Sequence, residues 1–301
     1  MNADATHSWE WPAHYDFLET VRSLGTGGKD PTVRLRADGW WRTVRLPEGP
    51  ATVRLSARPR ERIEADAWGR GAEAALRSVP RWLGLDQPPW RLPGHPVTDR
   101  LLRERPGIRL NDTGDVFEAL LITVLQQLVT WQEAAFVWRR LVERFGEPAP
   151  GPAGLRLIPT PRAIRAAGID RLAGLGMERR KALVLHEVAF AASRLQRAAE
   201  LPTDQAAALL QNVRGVGPWT SAMVLGARLG RPEPVVCGDV HLPHLVCWAL
   251  AREPRGSDER MVELLEPFAG HAFRVVRLLS AAGITAPRRA PRREIRFGRR
   301  R

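Results

Sequence analysis

Cysteine is nearly absent from this chain: its 301 residues include two, Cys237 and Cys247. Two thiols cannot build a disulfide framework, and they cannot supply the four thiolates of an iron–sulfur cluster. Lysine is almost as scarce. Of the 46 basic residues only Lys29 and Lys181 are lysine, and the rest are arginine. No apolar run approaches the ~18–20 residues that a membrane span needs. The opening Met1-Asn2-Ala3-Asp4-Ala5-Thr6-His7-Ser8 is too polar and acidic for a secretory signal. No internal repeat is evident, and no helix-turn-helix with base-reading residues stands out. These absences lead us to expect a soluble protein of a reducing, cytoplasmic compartment with no membrane partner.

Positive charge is abundant. The formal net charge is +13 and 44% of the residues are apolar, a combination that suits a globular protein with a polyanionic partner. Residues 286–301 hold eight arginines against Glu294. We expect this basic tail to be solvated and to add sequence-independent, salt-sensitive affinity for phosphates.

The chain divides by pattern into 1–87, 88–285 and the tail 286–301. In the first part a short helix is expected over 16–24. Thr32-Val33-Arg34-Leu35-Arg36 alternates, Asp38-Gly39 turns, and the alternation resumes from Trp40 to Leu46, as in a β-hairpin. Residues 51–57 give a third strand and 69–79 a helix. Arg34, Arg36, Arg42, Arg45 and Arg54 are expected to solvate the outer face of this sheet. From Pro88 onward the pattern is helical. A long apolar-periodic stretch covers 115–145 with an interruption near Val129-Thr130, and helices are expected over 160–167, 178–198, 203–212, 219–228, 241–251, 257–267 and 270–282. Nothing in 88–285 reads as a sheet. The expected fold class is an α+β N-terminal unit with a small antiparallel sheet, followed by a mainly α helical body.

The most informative stretch is Val213-Arg214-Gly215-Val216-Gly217-Pro218-Trp219-Thr220-Ser221-Ala222. Glycines two apart allow a sharp turn with positive φ and bring backbone N–H groups close to a ligand. Pro218 suits the first turn of a following helix, and a helix N-terminus behind a glycine-rich turn is a ready anion site. A loop over 230–234 then leads to Val235-Val236-Cys237-Gly238-Asp239-Val240-His241-Leu242. Asp239 can cap the helix that begins near His244, and it can also act as an isolated carboxylate beside the hairpin. The two roles are compatible.

This order of elements resembles the helix-hairpin-helix DNA glycosylase superfamily. With a small α+β unit in front, it is similar to the bacterial inducible 3-methyladenine DNA glycosylase family over roughly residues 10–285. The resemblance implies that the body carries a helix-hairpin-helix motif and that Asp239 is the catalytic carboxylate, in a pattern like Val-Asp-x-His-Val. It implies that Arg214, Gly215, Gly217 and Thr220 hold a DNA phosphate, and that Gln127 and Leu128 face the DNA, with Leu128 the wedge that fills the gap left by a flipped nucleotide. Trp219 stands where lyase-type relatives carry a Schiff-base lysine, and an indole cannot form that bond. A monofunctional enzyme is therefore implied. Trp219, Met223 and His271 would line the base pocket, the latter two where the family prototype uses aromatics.

The implied reaction is hydrolysis of an N-glycosidic bond in double-stranded DNA with damaged bases. A carboxylate stabilises the oxocarbenium-like transition state once the base has left the stack. No cofactor is expected beyond a monovalent cation at the hairpin backbone, and the enzyme is expected to be a monomer. A non-catalytic lesion-binding protein and a glycosylase for another damaged base are the alternatives.

Overall fold

A computed structural model describes residues 2–287; most of the basic tail, from Arg288 on, lies outside the described residues. Five antiparallel strands form the N-terminal sheet: β1 (Ala5–Glu10), β2 (Val33–Arg36), β3 (Gly39–Leu46), β4 (Gly49–Arg58) and β5 (Arg62–Trp68), in the spatial order β1-β5-β4-β3-β2. Two of these, β1 and β5, were not expected from the sequence. Helices α1 (Phe17–Arg22) and α2 (Ala72–Leu83) cover one face. Trp40, Val44, Val53, Leu55 and Ile63 pack there against Val79, Trp82 and Leu83.

The opposite face is not a solvated arginine surface. Glu147–Pro148 (β6) and Arg156–Leu157 (β7) pair in a small hairpin of their own, which corrects the expectation that no sheet occurs beyond residue 88. Residues 150–158 lie across the large sheet. Thr43 donates to the Arg156 carbonyl, Thr52 to that of Pro150, Arg36 to that of Ala153 and Arg45 to that of Ile158. Trp41 and Trp68 stack beneath this cover at 5.1 Å. Arg42 departs furthest from expectation. It lies on the Trp40 face, is 1% exposed, and pairs at 2.8 Å with the buried Glu118. A guanidinium this deep is tolerated only with a partner.

Glu118 belongs to α4 (Val116–Gln126), which Asp115 caps by accepting the Glu118 N–H. The Arg42–Glu118 pair therefore joins the sheet unit to the helical body. Between the units lie α3 (Pro96–Glu104), also unexpected, and a bridge from Asp112 to Leu229. The long apolar stretch breaks, as its pattern suggested, into α4 and α5 (Trp131–Phe145), the latter opened by a Thr130–Glu133 capping box. Helices α6 (Pro161–Ala173) and α7 (Arg179–Leu195) pack onto both. Then follow α8 (Thr203–Gln211), α9 (Pro218–Met223) with a π-helical continuation over Val224–Arg228, α10 (Leu242–Ala251), α11 (Asp258–Leu265) and α12 (Ala272–Ala281).

The helical body has two cores. One holds α4 to α8. The other holds α10 to α12 together with Trp90, Leu101, Ile108 and Leu110 from the segment before α4. Helix α9 runs between them, Val224 joining the first and Ala222 the second. The hairpin at its start therefore sits where the cores meet. Among the described residues, no helix is long and apolar enough to cross a membrane.

Candidate active site

Helix α8 ends at Gln211, and the chain turns back at once: Val213 N–H donates to the Leu210 carbonyl and Val216 N–H to that of Val213. Gly215 has φ +94°, and a Cβ there would stand 2.3 Å from Val184 Cγ2. Only glycine fits both the backbone and the space. Gly217 differs from expectation. Its φ is −97°, it caps α9, and a Cβ built on it meets no protein atom within 4 Å. The fold does not need glycine at 217, and the space above it is open. Pro218 takes the first helical position, as anticipated. Gln211 Nε2 donates to Ser221 Oγ at 2.9 Å, tying α8 to α9 across the hairpin. Arg214 is exposed on the turn.

Trp219, on the first turn of α9, reaches Asp239. Its indole Nε1–H donates to Oδ2 at 2.9 Å. The other oxygen, Oδ1, accepts the backbone N–H groups of His241 at 2.7 Å and Leu242 at 2.9 Å. Asp239 thus precedes the N-cap residue His241 and binds the first N–H groups of α10, where the positive end of the helix favours an anion, and it is also held facing the hairpin helix. Just before it, Gly238 has φ +82° and donates its N–H to Asp258 Oδ2 at 2.7 Å. The carboxylate is therefore fixed by three donors and a second acidic residue that sets its turn.

On the neighbouring α4–α5 turn, Leu128 is 72% exposed at φ +58°. A β-carbon-bearing residue in the left-handed region costs about 1–2 kcal/mol, a strain that clusters at functional sites. Gln127 does not project into open solvent. Its Nε2 donates at 2.9 Å to both the Gly215 carbonyl and Thr220 Oγ1. Thr220 is itself 2% exposed, so both side chains brace the hairpin instead of forming its outer surface.

Met223 lies half-buried in the same core as Trp219. His271 stands at the start of α12, with Arg274 NH1 at 3.0 Å from its Nδ1. A guanidinium only donates, so Nδ1 is the acceptor and the neutral ring carries its proton on Nε2. Burial and the Arg274 charge push this imidazole below its ordinary pKa. Two exposed apolar residues were not singled out in the sequence: Val240 at 71% and Trp131 at 47%. Each adjoins a site segment, but an isolated apolar side chain carries no sequence signal of exposure. A surface groove of about 1100 Å³ lies on the N-terminal unit between Trp11, Tyr15, Leu35 and Arg105 and includes none of these residues. Among the described residues, no three His, Cys, Asp or Glu side chains are grouped to hold a metal. The hairpin carbonyls of Val213, Gly215 and Gly217 each accept a hydrogen bond from within the protein.

Comparison with known proteins identifies the family. Residues 121–269 match the family model described as HhH-GPD superfamily base excision DNA repair protein. The chain is 35% identical over 224 residues to DNA-3-methyladenine glycosylase 2 of Escherichia coli (strain K12), covering 73% of this chain and 77% of that protein. Among solved structures, it resembles a 3-methyladenine DNA glycosylase from Archaeoglobus fulgidus with a TM-score of 0.78 at 22% identity, over 91% of this chain and 96% of the other. An 8-oxoguanine glycosylase/lyase from Clostridium acetobutylicum superposes with a TM-score of 0.67 at 15% identity, over 93% and 99% of the two chains.

Proposed function

The chain belongs to the helix-hairpin-helix (HhH-GPD) superfamily of base excision DNA repair proteins, in the branch of its Escherichia coli relative, and we propose that it is a monofunctional DNA glycosylase that releases alkylated purines, of the 3-methyladenine kind, from duplex DNA. The observation that carries this reading is the Asp239 carboxylate, held by Trp219 and by the start of α10 beside a hairpin with open space over Gly217.

An N-alkylated purine is cationic and already a good leaving group, so its N-glycosidic bond needs little acid catalysis. As that bond breaks, its electron pair goes to the purine nitrogen and positive charge develops at C1′ and the ring oxygen of the sugar. A preorganised carboxylate stabilises that charge. Water then adds to C1′, and its proton passes to Asp239 or solvent. The hairpin backbone and Arg214 hold a phosphate next to the lesion. Leu128 enters the stack and fills the gap. Trp219, Met223 and His271 receive the base, and Met223 presents a soft, polarisable surface to it.

Neither lysine amine is placed for a covalent lyase step: Lys181 is buried and bonded to a main-chain carbonyl, and Lys29 lies in an exposed loop of the N-terminal unit. The chemistry as proposed uses no iron–sulfur cluster and no cofactor. A monovalent cation at the hairpin would share carbonyls that already accept protein hydrogen bonds. The protein acts as a monomer on DNA, in the cytoplasm at the nucleoid.

The test is release of free base from methylated duplex DNA by the wild type and by Asp239→Asn. Release of 3-methyladenine or 7-methylguanine by the wild type alone supports the reading. Binding without release by either protein removes it and leaves a lesion-binding role.

A further inference from the structure

One buried charge has no part in the reaction above. Lys181 is 5% exposed, and its Nζ donates to the Leu125 carbonyl at 3.0 Å. Burial pulls this amine below its ordinary pKa, opposed by the charges of Glu178 and Glu133. Leu125 lies in the last turn of α4, where carbonyls lack intrahelical partners and a cation suits the negative end of the helix. The residues that follow are the turn that carries Leu128 at φ +58°.

That turn is tied on three sides. Lys181 pins it from α7. Gln127 ties it to Gly215 and Thr220 of the hairpin. Thr130 and Glu133 close it through the capping box of α5. One helical turn beyond Lys181, the Val184 side chain fills the space that a Cβ on Gly215 would need. Helix α7 therefore meets the end of α4 through Lys181 and the hairpin through Val184.

We propose that Lys181 is a positioning residue that fixes the Leu128 wedge relative to the hairpin, so that the wedge meets the duplex at a set distance from the clamped phosphate. The proposal rests on the glycosylase reading. A turn already ordered need not be ordered on binding, which removes one cost of forming the opened complex. Lys181 thus assists extrusion of a paired base and not cleavage of the bond itself.

The experiment compares single-turnover release of an alkylated base from a duplex and from the same strand unpaired. Lys181→Met keeps the stem and removes the ammonium. Lys181→Gln keeps a shorter, neutral donor. The duplex-to-single-strand rate ratio should fall in the order wild type, Gln, Met, by about tenfold for Met, with single-strand rates within about twofold of wild type. A merely structural role would lower both rates alike and leave the ratio where it was. An unchanged ratio in either folded variant overturns the proposal, and the Gln variant alone decides if the Met variant does not fold. If the wild type releases no base from either substrate, the glycosylase reading fails first and this proposal with it.

Discussion

The indole N–H of Trp219 donates to Oδ2 of Asp239 at 2.9 Å, while Oδ1 of the same carboxylate accepts two main-chain N–H groups at the start of α10. One residue thus both holds the start of α10 and is the candidate catalytic carboxylate, and the tryptophan ties the two roles to α9. Trp219→Phe removes the donor and keeps most of the ring. Single-turnover base release should fall about tenfold to a hundredfold, in line with loss of one charge-assisted hydrogen bond worth about 1.5–3 kcal/mol. DNA affinity should stay within about threefold, measured by fluorescence anisotropy on the same duplex.

The two hairpin glycines should separate stability from binding. Gly215→Ala places a methyl against Val184 at a positive φ, and a loss of about 1–3 kcal/mol is expected from overpacking and backbone strain. Gly217→Ala meets no protein atom, so its denaturation midpoint should be near that of wild type. Its DNA affinity should fall at least tenfold, because the methyl occupies the space a phosphate would approach. Wild-type affinity in Gly217→Ala would mean that no phosphate is held there.

Leu128 is strained and exposed. Leu128→Gly relieves the left-handed backbone and should leave thermal stability equal or higher, by up to about 1 kcal/mol. The same change removes the wedge, and release of base from a duplex should drop at least tenfold. A variant that is more stable yet less active would mark a residue kept for function.

The Arg42–Glu118 pair should govern stability far from the site. Arg42→Met leaves Glu118 buried without its cation, and a loss of about 3–5 kcal/mol is expected at neutral pH. The pH dependence has a definite sign. Burial holds the Glu118 carboxyl above its ordinary value, with Asp115 pushing the same way and Arg42 opposing. A group whose folded pKa is raised adds stability below its unfolded value, near 4.5, and that contribution is lost as the pH rises through the folded value. Urea midpoints between pH 4 and 8 should show this decline in the wild type and a flatter profile in Glu118→Gln.

Much of this molecule is written locally in its sequence. The interruption near Val129-Thr130 is visible because Thr130 and Glu133 form a capping signature, and the structure ends α4 and begins α5 there. The hairpin follows from its glycines and Pro218, and the placement of Asp239 follows from the short loop behind α9. Strand β5 was not expected, although Ile63, Ala65 and Ala67 alternate along it toward the core. Strand β1 was not expected either, because most of its residues are exposed at the sheet edge and its pattern is that of a polar segment.

What the sequence by itself determined is strands β2 to β4, most of the helices, the charge, the motif and the identity of the one carboxylate beside it. Tertiary structure alone decided which polar side chains turn inward. Arg42, Gln127 and Thr220 read as surface or ligand-facing residues along the chain, and nothing there marked Lys181 as buried. Each is spent on a partner distant in sequence: Glu118, Gly215, Gln127 and Leu125. A side chain's periodicity reports the face it occupies, and only the packed neighbours settle whether that face meets water, protein or DNA.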